Sequence, residues 1–269
     1  MGRVEGKVAF ITGGARGQGR AHAIRLAEEG ADIVVTDICS DYDSVPYAMA
    51  SEADLFETAR IVESKGRAVV AVHADVRDNV AMAAAVQQGV DRLGKIDIVV
   101  ANAGICTMQH WDEVTEDIWR DTIDTNLTGV WNTCKHTIPH LINAGGGSLI
   151  LISSVAGLKG QPFLAPYVAA KHGVVGLMRE LGNELARYMI RVNTIHPTGV
   201  DTPLGHGLIP SMERLIADVP ELGSIFVNTL PVNITQPEDV AEVVLFLASD
   251  EAKYVTGLEM KVDAGCTIR

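Results

Sequence analysis

Ser154, Tyr167 and Lys171 are the residues whose types and spacing can do chemistry in this chain. Tyr167 and Lys171 stand four positions apart in a stretch with helical periodicity, so their side chains share one helix face. A phenol can give a proton to an alcohol or carbonyl oxygen, or take one from it, once its pKa of about 10 is brought towards working pH. A neighbouring ammonium favours the phenolate by Coulomb attraction, as does the positive charge of an oxidised nicotinamide. Ser154 follows an apolar run at 148–152 and can hold the oxygen that exchanges the proton. Tyrosine and lysine at this spacing are common on helices and mean little alone. They gain meaning from a second signal far upstream.

That signal is Thr12-Gly13-Gly14-Ala15-Arg16-Gly17-Gln18-Gly19, which follows the apolar run Val8-Ala9-Phe10-Ile11 and precedes a helical pattern. Strand, glycine turn and helix in this order let backbone N–H groups close on a pyrophosphate at a helix N-terminus. Gly13, Arg16, Gly17, Gln18 and Gly19 are therefore expected to hold a dinucleotide. Asp37, with Ile38 beside it, ends the next strand and can accept hydrogen bonds from the adenosine ribose. Its charge repels a 2′-phosphate, which favours NAD over NADP. Arg16 argues the other way, but it can simply face solvent. Asp75 and Val76 can bracket the adenine, although an aspartate there also suits a turn or a helix cap. Asn102-Ala103-Gly104 lets backbone approach a ribose closely, or is an ordinary turn.

These residues need a rigid frame, and the pattern supplies one. Short apolar runs at 8–12, 32–36, 68–73, 96–101, 148–152, 190–195 and 258–262 alternate with helical patterns near 20–29, 52–65, 79–92, 115–144, 164–187 and 237–249. Near-continuous apolar strands are those covered on both faces. The expected fold is a single Rossmann-like, doubly wound parallel sheet flanked by helices on both faces, spanning residues 1–269 as one α/β domain. Two stretches look like insertions. Residues 39–50 separate the second strand from its helix. Residues 203–236, rich in glycine and proline, read as a long loop at a strand's C-terminal end, where ligands bind. Its Leu204, Leu208, Ile209, Met212, Leu215 and Phe226 predict an apolar substrate.

Bulk properties narrow the setting. The 269 residues are 47% hydrophobic with a formal net charge of −12, and mean hydropathy is +0.18. A disordered chain is excluded, and an acidic one is a poor partner for nucleic acid or an anionic membrane. No run reaches the roughly 18 apolar residues needed to span a bilayer. Residues 1–6 lack a signal-peptide core, and Gly6 stands where a myristoylation signal wants Ser or Thr. Four scattered cysteines suit reduced thiols, so the expected location is cytoplasmic. His136 and His140 share a helical spacing but lack a third ligand, so no metal site is expected. Trp111, Trp119 and Trp131 are expected to pack in the helix bundle or its interfaces.

Taken together, the motifs resemble the short-chain dehydrogenases/reductases over essentially the whole chain. The matching residues are the glycine turn, Asn102-Ala103-Gly104, Asn126, Ser154, Tyr167-x-x-x-Lys171 and Asn193-x-x-x-Pro197. The resemblance implies a catalytic tetrad of Asn126, Ser154, Tyr167 and Lys171. Tyr167 would be the general acid/base and Ser154 would orient the substrate. Lys171 would lower the tyrosine pKa and hold the nicotinamide ribose with Tyr167, and Asn126 would support a water leading to solvent. Ser153 is the rival for the serine role, and the family's spacing favours Ser154. Pro197, Val200 and Thr202 correspond to the segment that embraces the nicotinamide carboxamide, with Thr198 standing where glycine is usual. The insertion and the Arg-Gly-Gln-Gly turn resemble the carveol-dehydrogenase-like branch associated with the redox carrier mycofactocin. This implies NAD that stays bound under the insertion, a small apolar alcohol or ketone as substrate, and a homotetramer. A nucleotide-sugar epimerase or dehydratase, and a non-catalytic NAD sensor, are the competing readings. Length argues against the first, and the complete tetrad against the second.

Overall fold

The computed structural model describes residues 2–269. Seven strands form one parallel sheet: β1 Val8–Thr12, β2 Asp32–Asp37, β3 Val69–His73, β4 Ile98–Ala101, β5 Gly147–Ile152, β6 Ile190–Pro197 and β7 Glu259–Val262. Their spatial order is β3-β2-β1-β4-β5-β6-β7. Chain order reverses between β1 and β4, which pair through Ala9↔Ile98 to Ile11↔Val100. A crevice must open at the C-terminal ends of those two strands, where consecutive connections leave towards opposite faces.

Both faces are covered, as the unbroken apolar strands require. Alternate strand residues point to opposite sides. Ile11, Val35, Val100 and Ile150 meet helices α1 (Gly17–Glu28), α2 (Glu52–Ser64) and α8 (Pro237–Ala248). Phe10, Val34, Val99 and Leu149 meet α3 (Asn79–Leu93), α5 (Gly129–Asn143) and α6 (Ala165–Glu184). Helix ends are set locally. Ser51 and Asp54 form a capping box on α2, and Asp78 caps α3, which stops at Gly94 with φ of 84°. Among the described residues, no helix is long and apolar enough to cross a membrane.

Two elements differ from expectation. The pattern at 115–144 is not one helix. It is α4 (Glu116–Ile123) and α5, joined by a wider π-type turn at Asp124–Thr128. The extra residue in that turn re-aims Asn126 inward, where it is fully buried. The stretch after β6 is not a loop either. Residues Pro203–Asp218 form α7, followed by a short 3₁₀ stretch at Pro220–Phe226. Thr202 caps α7 by accepting from the Gly205 amide, and Pro203 starts it. Leu204, Leu208, Met212 and Leu215 lie along one face of α7 and pack into an apolar cluster with Cys106, Met108 and Leu164. That packing outweighs the poor helix propensities of Gly205, Gly207 and Pro210.

Candidate active site

The turn from β1 into α1 is built for close approach. Gly13 and Gly17 have φ of +65° and +54°, a region costly to other residues. A Cβ on Gly19 would sit 2.1 Å from the Gly13 carbonyl oxygen. No side chain caps α1, and its first turn lines a continuous cleft of about 680 Å³. This is the cradle that a pyrophosphate requires. Asn102 locks the turn to β4. Its amide donates to the carbonyls of Thr12 (2.9 Å) and Gly13 (3.1 Å). In return, Thr12 Oγ1 accepts from the Asn102 and Ala103 amides at 3.1 Å each.

Asp37 accepts from the amides of Ala15 (3.0 Å) and Cys39 (3.3 Å). Burial raises its pKa, opposed by these bonds and by the charge of Arg16. Arg16 does not simply face solvent. Its guanidinium donates to the Ala48 carbonyl at 2.5 Å and so ties the turn to the 39–50 insertion. Asp75 lines the cleft beside Val76, and its carboxylate is shared with Arg77 at 2.8 Å. Arg77 also pairs with Asp121 at 2.9 Å and lies 4.3 Å over the Tyr42 ring.

The insertion crosses the cleft and is fastened on its far side. Tyr42 bonds Thr125 Oγ1 at 3.0 Å, and Ser44 donates to Asp121 at 2.7 Å. The Tyr47 hydroxyl accepts from the Cys106 amide at 3.1 Å. A Cβ on Gly207 would lie 2.5 Å from the Tyr47 ring, so that glycine in α7 makes room for the insertion. Tyr42, Val45 and Ile105 pack together with Ile38, Tyr47 and Met49.

Ser154 ends the β5 run in extended backbone and accepts from the Ala156 amide at 3.1 Å. Its hydroxyl faces that of Tyr167 closely enough to lower the phenol's pKa. The Ser153 hydroxyl, its rival, is buried and donates to the Lys171 carbonyl at 3.1 Å. Tyr167 and Lys171 lie on α6, with the ammonium 5.5 Å from the Tyr167 ring centre. Lys171 Nζ donates to the Ile152 carbonyl at 2.8 Å. Burial lowers its pKa to about 8, partly opposed by Cys106. Tyr167 departs from expectation. Burial, followed by the nearby Cys106, pushes its hydroxyl well above the ordinary phenol range, and the Ser154 hydroxyl opposes this. The protein alone therefore keeps the proton on Tyr167, because desolvation of the phenolate outweighs the attraction of an ammonium aimed at Ile152. Asn126 spends its amide on Ile105, donating to the carbonyl at 2.8 Å and accepting from the N–H at 2.9 Å. A Cβ on Gly104 would stand 2.7 Å from Asn126 Oδ1, which is why the chain is bare there.

A family model described as enoyl-(acyl carrier protein) reductase matches residues 13–267. The (−)-trans-carveol dehydrogenase of Rhodococcus erythropolis is 46% identical over 278 residues, covering 100% of both chains. This chain belongs to the short-chain dehydrogenase/reductase family. A short-chain dehydrogenase from Mycobacterium paratuberculosis, solved bound to NAD, superposes with a TM-score of 0.98 at 47% identity, with 100% of both chains covered. The carveol dehydrogenase of Mycobacterium avium, in complex with NAD, gives a TM-score of 0.93 at 45% identity, again over 100% of both chains.

In this short-chain dehydrogenase/reductase, every expected cofactor residue lies in the cleft wall. Gly13, Arg16, Gly17, Gln18, Gly19, Asp37, Ile38, Asp75, Val76, Asn102, Ala103 and Gly104 line it. Pro197, Val200 and Thr202 line the same cleft with Ser154, Tyr167 and Lys171, and Thr202 packs beside Gly17. Thr198 bonds Asn228 at 2.9 Å, which seats a side chain where the family resemblance has glycine. The adjoining chamber is walled by Leu204, Leu208, Ile209, Met212 and Phe226, as the sequence suggests. Leu215 is a correction. It is fully buried behind that wall and does not line the chamber. The sequence reading missed Tyr47, Cys106, Met108, Gln161 and Leu164, all in the lining. Cys106 and Met108 alternate just after Asn102-Ala103-Gly104, a strand-end position that could have flagged them. Tyr47 had no local signal. The three tryptophans are not packed in the bundle, for Trp111, Trp119 and Trp131 are 83%, 47% and 44% exposed.

Proposed function

We propose that this protein is an NAD-dependent oxidoreductase that interconverts an apolar cyclic secondary alcohol, terpenoid or alicyclic, and its ketone. The observation that carries the substrate class is the chamber itself. Cys106, Met108, Leu164, Leu208, Met212 and Phe226 wall a space that opens directly onto Ser154 and Tyr167. Burying a hydrocarbon ring there gains about 25 cal/mol per Å², whereas a sugar would strand its hydroxyls against carbon. The carveol substrates of the two named relatives agree with this.

NAD, when bound, takes a hydride from the carbinol carbon or returns one to the carbonyl carbon. The glycine turn would hold its pyrophosphate, Asp37 the adenosine ribose, and Lys171 with Tyr167 the nicotinamide ribose. Towards the alcohol, Tyr167 gives its proton to the oxygen that Ser154 hydrogen-bonds. Towards the ketone, it takes that proton, and the ammonium of Lys171 stabilises the phenolate. Asn126 fixes the backbone at Ile105, so a proton path to solvent past Lys171 would use its main chain.

The insertion supports a finer reading, that NAD stays bound between turnovers. Residues 39–50 are fastened to Thr125 and Asp121 on one side of the cleft, and to Cys106 and α7 on the other. A retained cofactor must be re-oxidised in place, and a small redox carrier such as mycofactocin would serve. Exposed Trp111, Trp119 and Trp131 suit the homotetramer and would be covered in it. The location is cytoplasmic. The experiment is to purify the protein without added NAD, dialyse it, quantify bound NAD, and record nicotinamide absorbance on adding alcohols. Alicyclic alcohols reduce the bound cofactor and polar sugars do not; the reverse pattern overturns the substrate class. Tyr167→Phe keeps its NAD and loses turnover by about 10²–10⁴-fold. A native mass equal to one chain would remove the tetramer.

A further inference from the structure

His196 lies behind the reacting serine. It is fully buried near the end of β6. Its Nδ1 is 2.8 Å from the Ser154 carbonyl oxygen, and its Nε2 is 2.8 Å from Thr194 Oγ1. These two contacts fix the tautomer. A carbonyl can only accept, so Nδ1 carries the hydrogen. Burial lowers the pKa of the ring and keeps it neutral, so Nε2 accepts from the Thr194 hydroxyl. The other acceptor within reach of that hydroxyl, the Leu258 carbonyl, is at 3.4 Å. A directed chain thus runs from the Thr194 hydroxyl through His196 to the Ser154 carbonyl. The Gly157 amide also donates to that carbonyl, at 2.9 Å.

The Ser154 carbonyl is where the regular ladder ends. Ser153 still donates to the Ile195 carbonyl at 2.9 Å, but Ser154 lies past the last residue of β5. The sheet no longer dictates its peptide plane, and the His196 ring takes over that task. The carbonyl carbon and Cβ share one Cα, so fixing the carbonyl limits where the hydroxyl points. That hydroxyl also accepts from the Ala156 amide and faces Tyr167, whose pKa it lowers.

We propose that His196 is a positioning residue for the reaction: by donating Nδ1–H to the Ser154 carbonyl, it holds the Ser154 hydroxyl against Tyr167 and the substrate oxygen. This rests on the roles given above to Ser154 and Tyr167. An imidazole that merely filled space would need no such pair of directed bonds, and the two roles separate in experiment.

The test uses the NAD-loaded protein with carveol as substrate. His196→Leu removes the donor, whereas His196→Asn can place its amide N–H where Nδ1–H stood. The leucine variant loses about tenfold or more in kcat with substrate KM and bound NAD unchanged, and the asparagine variant stays within about threefold of the parent. In a Ser154→Ala background, the leucine change costs less than about twofold, because the group it positions is already gone. Equal losses for leucine and asparagine overturn the proposal, as do losses that multiply in the double variant. Should the leucine variant not fold, His196→Gln replaces it. Its longer amide reaches the Nε2 position rather than Nδ1, so it falls below asparagine in kcat, and the opposite order overturns the proposal. A Tyr167→Phe protein that still turns over, or a parent inert towards carveol, removes the underlying reading instead.

Discussion

Replacing Lys171 with methionine should make the protein more stable near neutral pH while removing its activity. The ammonium is buried, 3% exposed, and within hydrogen-bond reach it meets a backbone carbonyl rather than a carboxylate. Its pKa falls from 10.5 to about 8 because burial disfavours the charged form. At about 1.36 kcal/mol per tenfold change in proton affinity, the folded state carries a penalty of about 3 kcal/mol for holding that charge. The sign follows from proton counting. Below the folded value, both states hold the proton and the penalty is fully present. Between about 8 and 10.5, the unfolded chain holds more protons than the folded one, so stability rises with pH. Above the unfolded value, both are neutral and the penalty is gone.

Methionine keeps the stem and carries no proton. It forfeits the bond to Ile152, a loss of about 1–2 kcal/mol, so the net gain at about pH 7 is roughly 1–2 kcal/mol. The change with pH is the stronger signature. Other titrating groups are common to both proteins and cancel in the difference. The advantage of Lys171→Met should therefore shrink by about 3 kcal/mol between about pH 7 and pH 10.5 and end with the parent ahead. Urea unfolding of both proteins, refolded without NAD, measures this directly. A difference that stays flat across that range, or a variant weaker than the parent at neutral pH, would refute the reasoning.

Three further outcomes are expected. Gly19→Ala puts a methyl against the rigid Gly13 carbonyl, 2.1 Å away, so the turn must open and NAD bound after purification should fall by about tenfold or more, a strain of ~1–3 kcal/mol. Asp37→Ser removes the carboxylate at the ribose end of the cleft, and the NADP-to-NAD affinity ratio, measured by calorimetry on refolded protein, should rise by about tenfold. Tyr47→Phe leaves the Cys106 amide without its acceptor, and exchange of bound NAD for labelled NAD should speed up by about tenfold, the equivalent of ~1.4 kcal/mol lost from the strap.

Strands and sheet class were legible because their signals are local, as are the signals that single out the candidate reacting residues. Apolar runs such as Ile98-Val99-Val100 admit only a doubly covered strand, and Ser154, Tyr167 and Lys171 follow a fixed spacing along β5 and α6. What was illegible depends on contacts distant in sequence. Residues 203–218 look like a loop because Gly205, Gly207 and Pro210 are weak helix formers, yet Gly207 is needed beneath the Tyr47 ring and the leucine face is held by Cys106 and Leu164. Arg16 was ambiguous because its partner, Ala48, lies in the insertion. Spacing already favoured Ser154 over Ser153, but the bond that occupies Ser153, to the Lys171 carbonyl, is a contact no local pattern shows. Leu215 and Leu208 share one periodicity, and only the packing shows that one lies behind the chamber wall and the other in it.

The chamber and the proton chemistry constrain one another. The apolar contacts that dry the chamber also desolvate Tyr167 and Lys171, raising one pKa and lowering the other. A drier chamber would make the phenol a still weaker acid, slower to release its proton. Ser154 is the counterweight the protein supplies, since its hydroxyl favours the phenolate. Cys106 bears on both groups, adding to the rise at Tyr167 and opposing the fall at Lys171, while burial pushes its own thiol up to about 12. Losing the Ser154 hydroxyl would therefore do two things at once, releasing the substrate oxygen and leaving desolvation of Tyr167 unopposed. That is why the orientation of this one hydroxyl, and the His196 ring behind it, should matter more than the apolar wall for the rate.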